Sequence, residues 1–128
     1  MDIVKGGVDL LILLYGAPSD YDTIMSSMEL LPELQYRRIE VVRTDSFDAF
    51  LEKLRNASYD IVLVTANGAE GMEGVIAAQS LRPGAATVWF SDDQGFGAQA
   101  YRLNCTYFAV KPITPETVSK AYRAYHHK

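Results

Sequence analysis

The amino-acid sequence predicts one α/β domain in which a five-stranded parallel sheet is covered by helices on both faces, forming a doubly wound sandwich. Its 128 residues suit a single compact domain, which we place at residues 1–128. Five short apolar runs alternate with segments of helical spacing. This alternation is typical of parallel strands joined by right-handed crossovers. We find no internal repeat, linker or low-complexity tract that would divide the chain.

The predicted strands are short runs that are mostly continuous in apolar residues rather than alternating. Strands that are buried on both faces of a sheet have this pattern. The first run is also far too short to cross a bilayer, so it predicts a strand and not a membrane segment. The five runs are residues 10–14, 39–42, 61–64, 87–90 and 106–110.

Two amphipathic helices are predicted in the first half of the chain. The first has one apolar stripe and acidic residues in its first turn, with Pro18 and Ser19 preceding it. Its stripe consists of Tyr21, Ile24, Met25, Met28 and Leu31. The second follows Asp45 or Ser46, either of which can cap it. Its stripe consists of Phe47, Phe50, Leu51 and Leu54.

Three further helices are predicted in the second half. Residues 72–81 form a weaker stripe, interrupted by Gly74, and stop at the turn that follows. Residues 96–103 begin beside two glycines, which lower helix stability. The last helix has the clearest start, since Thr114 can cap it and Pro115 suits the first helical position. Its stripe consists of Val118, Ala121, Tyr122 and Tyr125.

Composition excludes several classes of function. The formal net charge of −4 argues against a basic nucleic-acid-binding surface, so we expect no direct DNA contact by this domain. A single cysteine, Cys105, excludes an internal disulfide and a cysteine-rich metal site, and we expect an inert buried thiol. We therefore expect a cytoplasmic protein with no membrane contact.

In a doubly wound sheet, binding residues lie in the loops at the carboxyl ends of the strands. These loops are expected to carry any chemistry in this chain. The residues that follow the strands are Tyr15, Gly16, Ala17 and Pro18 after the first, Thr65, Ala66, Asn67 and Gly68 after the third, Ser91, Asp92 and Asp93 after the fourth, and Lys111 and Pro112 after the fifth.

The order of these residues resembles a response-regulator receiver domain of the CheY-like type, over nearly the whole chain. The motifs are a first strand ending near a proline, "YDIVLVT" followed by "GMEG", Ser91 after the fourth strand and Lys111-Pro112 after the fifth. The stretch "VWFSDDQGFGAQAYRLNCTYFAVKPI" is most similar to receivers of LytTR-type transcriptional regulators. The resemblance implies a flavodoxin-like (βα)5 fold with strand order 2-1-3-4-5.

In that family, two acidic residues after the first strand and an aspartate after the third hold Mg²⁺, and the aspartate accepts a phosphoryl group. Here the acidic pair falls on Tyr15 and Gly16, and the acceptor on Thr65 or, allowing for one extra residue before Gly74, on Ala66. None of these can replace a carboxylate as an oxygen ligand for Mg²⁺. The resemblance therefore implies a degenerate pseudo-receiver without a metal or aspartyl phosphorylation.

The side of the pocket that senses phosphorylation in the family is retained. The resemblance gives Ser91 the place of the sensing hydroxyl, Lys111 that of the ammonium, and Phe108 that of the switch aromatic. It also implies a cis peptide bond before Pro112, an isomer that only an X-Pro bond adopts at low cost.

Plainer interpretations stand beside these assignments. Lys111 could extend to water or pair with Asp92 or Asp93. Thr65 and Asn67, which we include in the degenerate pocket, are more simply turn formers. A cation site built from Asp92, Asp93 and either Glu70 or Glu73 is a further, weaker alternative.

The sequence predicts a binding module and not an enzyme, because no acid, base and nucleophile converge. We expect no cofactor. The partner is another protein or a second copy, bound through the last two helices and the fifth strand, with Tyr101, Tyr122 and Tyr125 as interface candidates. The module is compatible with the N-terminal regulatory part of a transcriptional regulator. The alternative is a small-molecule module for a flavin or phosphate, with Tyr15 or Trp89 stacking on the ligand.

Overall fold

A computed structural model describes residues 7–127, and the terminal residues 1–6 and 128 of the predicted single domain lie outside this range. It contains one parallel five-stranded sheet of strand order β2-β1-β3-β4-β5, which confirms the predicted doubly wound fold. The strands are β1 (Leu10–Tyr15), β2 (Ile39–Thr44), β3 (Ile61–Val64), β4 (Ala86–Ser91) and β5 (Tyr107–Val110). The helices are α1 (Pro18–Glu29), α2 (Phe47–Asn56), α3 (Gly68–Leu81), α4 (Gly97–Arg102) and α5 (Pro115–His126).

The sheet separates two apolar cores, because successive strand residues point to opposite faces. Leu10, Ile12 and Leu14 of β1 enter the core that also contains buried residues of α1 and α5. Leu11 and Tyr15 enter the other, with buried residues of α2, α3 and α4. Both faces of β1 are thus covered, which explains its continuous apolar run.

The two outer strands differ from the prediction that the strands are buried on both faces. Strands β1, β3 and β4 are buried along their whole length, whereas most residues of β2 and β5 are half-buried or exposed. They lie at the sheet edges and have only one strand neighbour each. None of the helices in the described part of the chain is long and apolar enough to span a membrane.

The helix starts depend on local caps. Ser46 accepts a hydrogen bond from the Ala49 amide, which confirms it over Asp45 as the cap of α2. Thr114 caps α5 through a reciprocal pair of hydrogen bonds with Thr117. Helix α1 begins at Pro18, earlier than predicted, because a proline fits the first helical position. It ends at Glu29, and a short unpredicted 3₁₀ helix, Pro32–Leu34, follows.

Helices α3 and α4 also depart from their predicted limits. Helix α3 begins at Gly68, four residues before the predicted start at Met72. A 3₁₀ turn, Gln94–Phe96, precedes α4, which begins at Gly97 and contains only six residues. The glycine that interrupts the α3 stripe has a packing role, since a Cβ on Gly74 would lie 2.8 Å from Cδ2 of Tyr15.

The substitution Gly74→Ala tests this close packing. A Cβ there would also lie 3.3 Å from Cγ1 of Val64, and the Tyr15 ring is held by stacking on Phe50. We expect the free energy of unfolding to fall by about 1–3 kcal/mol, as for other overpacked cores, measured by urea denaturation. The matched control is Gly84→Ala, whose Cβ meets nothing within 4 Å. Equal stability of the two variants would contradict the packing argument.

Candidate functional site

The predicted pocket residues gather at the carboxyl end of the sheet. The Thr65 amide donates to the carbonyl oxygen of Tyr15 at 2.8 Å, and the Lys111 amide donates to that of Ser91 at 2.8 Å. These bonds continue the pairing of β1 with β3 and of β4 with β5 past the strand ends. The topology therefore places the ends of β1, β3, β4 and β5 around one site.

The Lys111 ammonium is bound entirely by protein acceptors. Its Nζ donates to Asp20 Oδ2 at 3.0 Å, to the Thr65 carbonyl oxygen at 2.8 Å and to Asn67 Oδ1 at 2.7 Å. An ammonium has three N–H donors, so all three are used. The Lys111 and Asp20 side chains are each 19% exposed, which makes this a partly buried ion pair.

The sequence-based alternatives for Lys111 are corrected by this geometry. The lysine pairs with Asp20, 91 positions away, and not with Asp92 or Asp93. The sequence indicates only that Asp20 is one of the acidic residues near the start of the first helix. Because α1 begins at Pro18, Asp20 lies in its first turn, and its carboxylate reaches Lys111 at the carboxyl end of the sheet.

The Ser91 hydroxyl is also engaged within the protein. Ser91 is fully buried, and its Oγ accepts a hydrogen bond from the Asp93 amide at 3.1 Å. Asp93 Oδ1 in turn accepts from the Gly95 amide at 2.7 Å, which shapes the turn before α4. The hydroxyl therefore serves the local turn in this structure.

Thr65 fills the space beside Gly16. A Cβ on Gly16 would lie 1.8 Å from Thr65 Oγ1, so no larger residue fits there while the threonine keeps this position. Thr65 is fully buried, and its hydroxyl has no hydrogen-bond partner. Ala66, the alternative acceptor position, is half-buried and carries no group that could accept a phosphoryl.

Tyr15 lies at the end of β1, but its ring packs into a core. It stacks on Phe50 with ring centroids 4.7 Å apart and an interplanar angle of 17°. Burial, with smaller contributions from the carboxylates of Glu70 and Glu73, raises the pKa of Tyr15. Trp89 is also fully buried, so neither residue offers the stacking surface expected for a flavin.

A cavity of about 310 Å³ opens beside Thr65 at this end of the sheet. Its lining includes three carboxylates, those of Asp20, Asp45 and Glu70. Asp20 is neutralised by Lys111, and no cluster of three or more metal-ligating side chains is present between residues 7 and 127. The positions to which the resemblance assigns the acidic pair hold Tyr15, which packs into a core, and Gly16, and neither offers the carboxylate that a Mg²⁺ site of that type needs.

The carboxylates that the sequence offered as an alternative cation site have other roles in the structure. Asp92 Oδ1 accepts a hydrogen bond from the Gly68 amide at 3.1 Å, and Asp93 caps the turn before α4. Glu70 and Glu73 lie on α3, and their negative charges contribute to the raised pKa of Tyr15. The structure gives Asp92 a role that the sequence did not indicate, which is to join the β3–α3 and β4–α4 loops.

Phe108, the predicted switch aromatic on β5, packs inward. The Phe108 ring meets Trp89 edge-on, with centroids 5.3 Å apart and an interplanar angle of 82°. The Lys111–Pro112 peptide bond is cis. Cys105 is half-buried, and desolvation raises the pKa of its thiol to about 11, so little reactive thiolate forms near neutral pH.

The three interface candidates differ in exposure. Tyr101 on α4 is 85% exposed. Tyr122 and Tyr125 on α5 are half-buried and pack against the core shared by α1 and α5. Val110 at the end of the edge strand β5 is 39% exposed.

The hydroxyl of Thr65 provides a test of the site's geometry. Thr65→Val replaces an unpartnered buried hydroxyl with a methyl group of similar shape, so we expect the free energy of unfolding to rise by about 1 kcal/mol. Thr44→Val is the matched control, because the Thr44 hydroxyl donates to the Leu14 carbonyl oxygen at 2.8 Å. That variant should lose about 1 kcal/mol in the same urea titration. A loss for Thr65→Val as large as that of the control would contradict the unpartnered assignment.

Known proteins resemble this chain in structure. No family model and no curated protein matches the sequence. The chemotaxis response regulator CheY4 of Vibrio cholerae has a TM-score of 0.70 at 20% identity, covering 91% of this chain and 98% of CheY4. The receiver domain of NarL from Mycobacterium tuberculosis has a TM-score of 0.71 at 18% identity, covering 94% of this chain and 99% of that domain.

A protein from another process has a similar structure. The pilus assembly protein CpaE of Caulobacter crescentus has a TM-score of 0.70 at 15% identity, covering 90% of this chain and 98% of the solved chain. At these identities the similarity shows the fold. The chain has the flavodoxin-like fold of CheY-like receiver domains, as the resemblance in sequence implied.

Proposed function

We propose that the chain is a pseudo-receiver, a cytoplasmic signalling module that is not phosphorylated on aspartate and acts by binding another protein or a second copy of itself. The observation that carries this proposal is the saturation of Lys111 by Asp20, Thr65 and Asn67. The lysine to which the resemblance assigns phosphoryl binding already has an anion and two neutral acceptors as partners.

The chemistry of phosphoryl transfer supports the same proposal. The transfer requires a nucleophile in line with the phosphorus and cations that stabilise the charge on the transferred group. The acceptor position holds Thr65, whose hydroxyl is buried, or Ala66, which has no nucleophile. The carboxylates of Asp45 and Glu70 in the cavity would repel a phosphodonor in the absence of a bound cation.

The proposed binding surface consists of the last two helices and β5. Tyr101 and Val110 supply exposed apolar area on this side, and exposed aromatic residues are enriched at protein interfaces. We propose that Tyr122 and Tyr125 contribute through their exposed edges. The net charge of −4 disfavours direct contact with DNA.

The proposed module fits two kinds of larger system. The resemblance to LytTR-type receivers favours a regulatory domain of a transcriptional regulator, whose effector domain would contact DNA. The structural similarity to the pilus assembly protein CpaE favours a role outside transcription. In both contexts we propose that residues 1–128 act as one module that binds a protein partner.

A flavin- or phosphate-binding module is less well supported. The stacking candidates Tyr15 and Trp89 are buried, and the cavity at the strand ends carries more acidic than basic side chains. An anionic ligand would be repelled there. A yellow protein preparation or a nucleotide that co-purifies would favour this alternative.

Incubation with Mg²⁺ and acetyl phosphate tests the proposal. We expect no increase in intact mass and no change in the sedimentation of the protein, with or without beryllium fluoride. The reason is that neither a carboxylate acceptor nor a cation site of the family type is in place. A conventional receiver domain treated in parallel shows that the reagents are active. A Mg²⁺-dependent covalent adduct on the folded chain would overturn the proposal.

A further inference from the structure

The contacts of Lys111 form part of a longer chain of bonds across the sheet edge. The Asp20–Lys111 pair joins the first turn of α1 to the end of β5. Lys111 also donates to Thr65 and Asn67, which fixes the loop between β3 and α3. One side chain therefore holds three elements that are far apart in sequence.

The chain of bonds extends to the loop before α4. Gly68 follows Asn67 directly, and its amide donates to Asp92 Oδ1 at 3.1 Å. Gly68 has a φ of +62°, a left-handed conformation that glycine adopts at little cost. Asp92 lies within the turn formed by Ser91 and Asp93, and this turn leads into α4.

We propose that Asp20 is an internal latch, whose carboxylate sets the position of the β4–α4 loop through Lys111, Asn67, Gly68 and Asp92. A cationic residue of a partner that pairs with Asp20 would withdraw this carboxylate from Lys111. The loosened loop would then change the presentation of α4 and of exposed Tyr101. The latch gives the module an input at α1 and an output at α4, without a phosphoryl group.

This inference extends the proposed function, in which the Lys111 ammonium binds protein acceptors, Asp20 among them, and not a phosphoryl group. The test is therefore made in buffer without Mg²⁺, phosphate or a phosphodonor, so that its outcome does not depend on whether the chain can be phosphorylated.

Hydrogen–deuterium exchange of Asp20→Asn, measured by mass spectrometry, tests the latch. We expect exchange to become several-fold faster in residues 65–70 and also in residues 91–97. Asp22→Asn is the matched control, because Asp22 is exposed on the same helix, and it should leave both segments unchanged. Asp92→Ala removes the link to Gly68, so adding Asp20→Asn to it should produce no further change in residues 91–97.

Faster exchange in Asp20→Asn that stops at residues 65–70 would overturn the inference, as would an equal effect of Asp22→Asn. Thermal unfolding checks that each variant is folded. Should Asp20→Asn fail to fold, Asn67→Ala provides the same test, since it breaks the chain of bonds at an exposed residue and leaves the ion pair in place. Exchange in residues 91–97 should also become faster in Asn67→Ala. Unchanged exchange in that segment would contradict the inference.

Discussion

The ammonium group of Lys111 is the contact on which the carboxyl end of the sheet depends. Its three donors hold a carboxylate from α1, a backbone carbonyl from the end of β3 and an amide oxygen from the following loop. Burying a charged group is costly unless it is paired, and the Asp20 carboxylate supplies that pairing at 3.0 Å. The same pairing leaves no donor of Lys111 for a phosphoryl group.

The positions to which the sequence resemblance assigns the family's carboxylates are closely packed in this structure. Tyr15 turns into the core and stacks on Phe50, and Gly74 gives its ring room under α3. Thr65 occupies the space that a side chain on Gly16 would need. An aspartate introduced at one of these positions would therefore disturb its neighbours, because protein interiors are closely packed.

Much of the fold was predictable because it depends on local pattern. Continuous apolar runs located all five strands, and Ser46 and Thr114 marked the starts of two helices. The partial burial of β2 and β5 was missed, since an apolar run does not reveal which strands lie at an edge. The role of Asp20 was missed because it depends on tertiary structure, in which α1 brings the residue next to Lys111 from 91 positions away.

A double-mutant cycle between Asp20 and Lys111 measures this central ion pair most directly. Urea unfolding of wild type, Asp20→Asn, Lys111→Met and the double variant gives the interaction energy of the two side chains. For a partly buried pair we expect about 1–3 kcal/mol of favourable coupling, between the values typical of exposed and fully buried pairs. Additive effects of the two substitutions would show that Lys111 does not depend on Asp20, and would contradict an internally satisfied pocket.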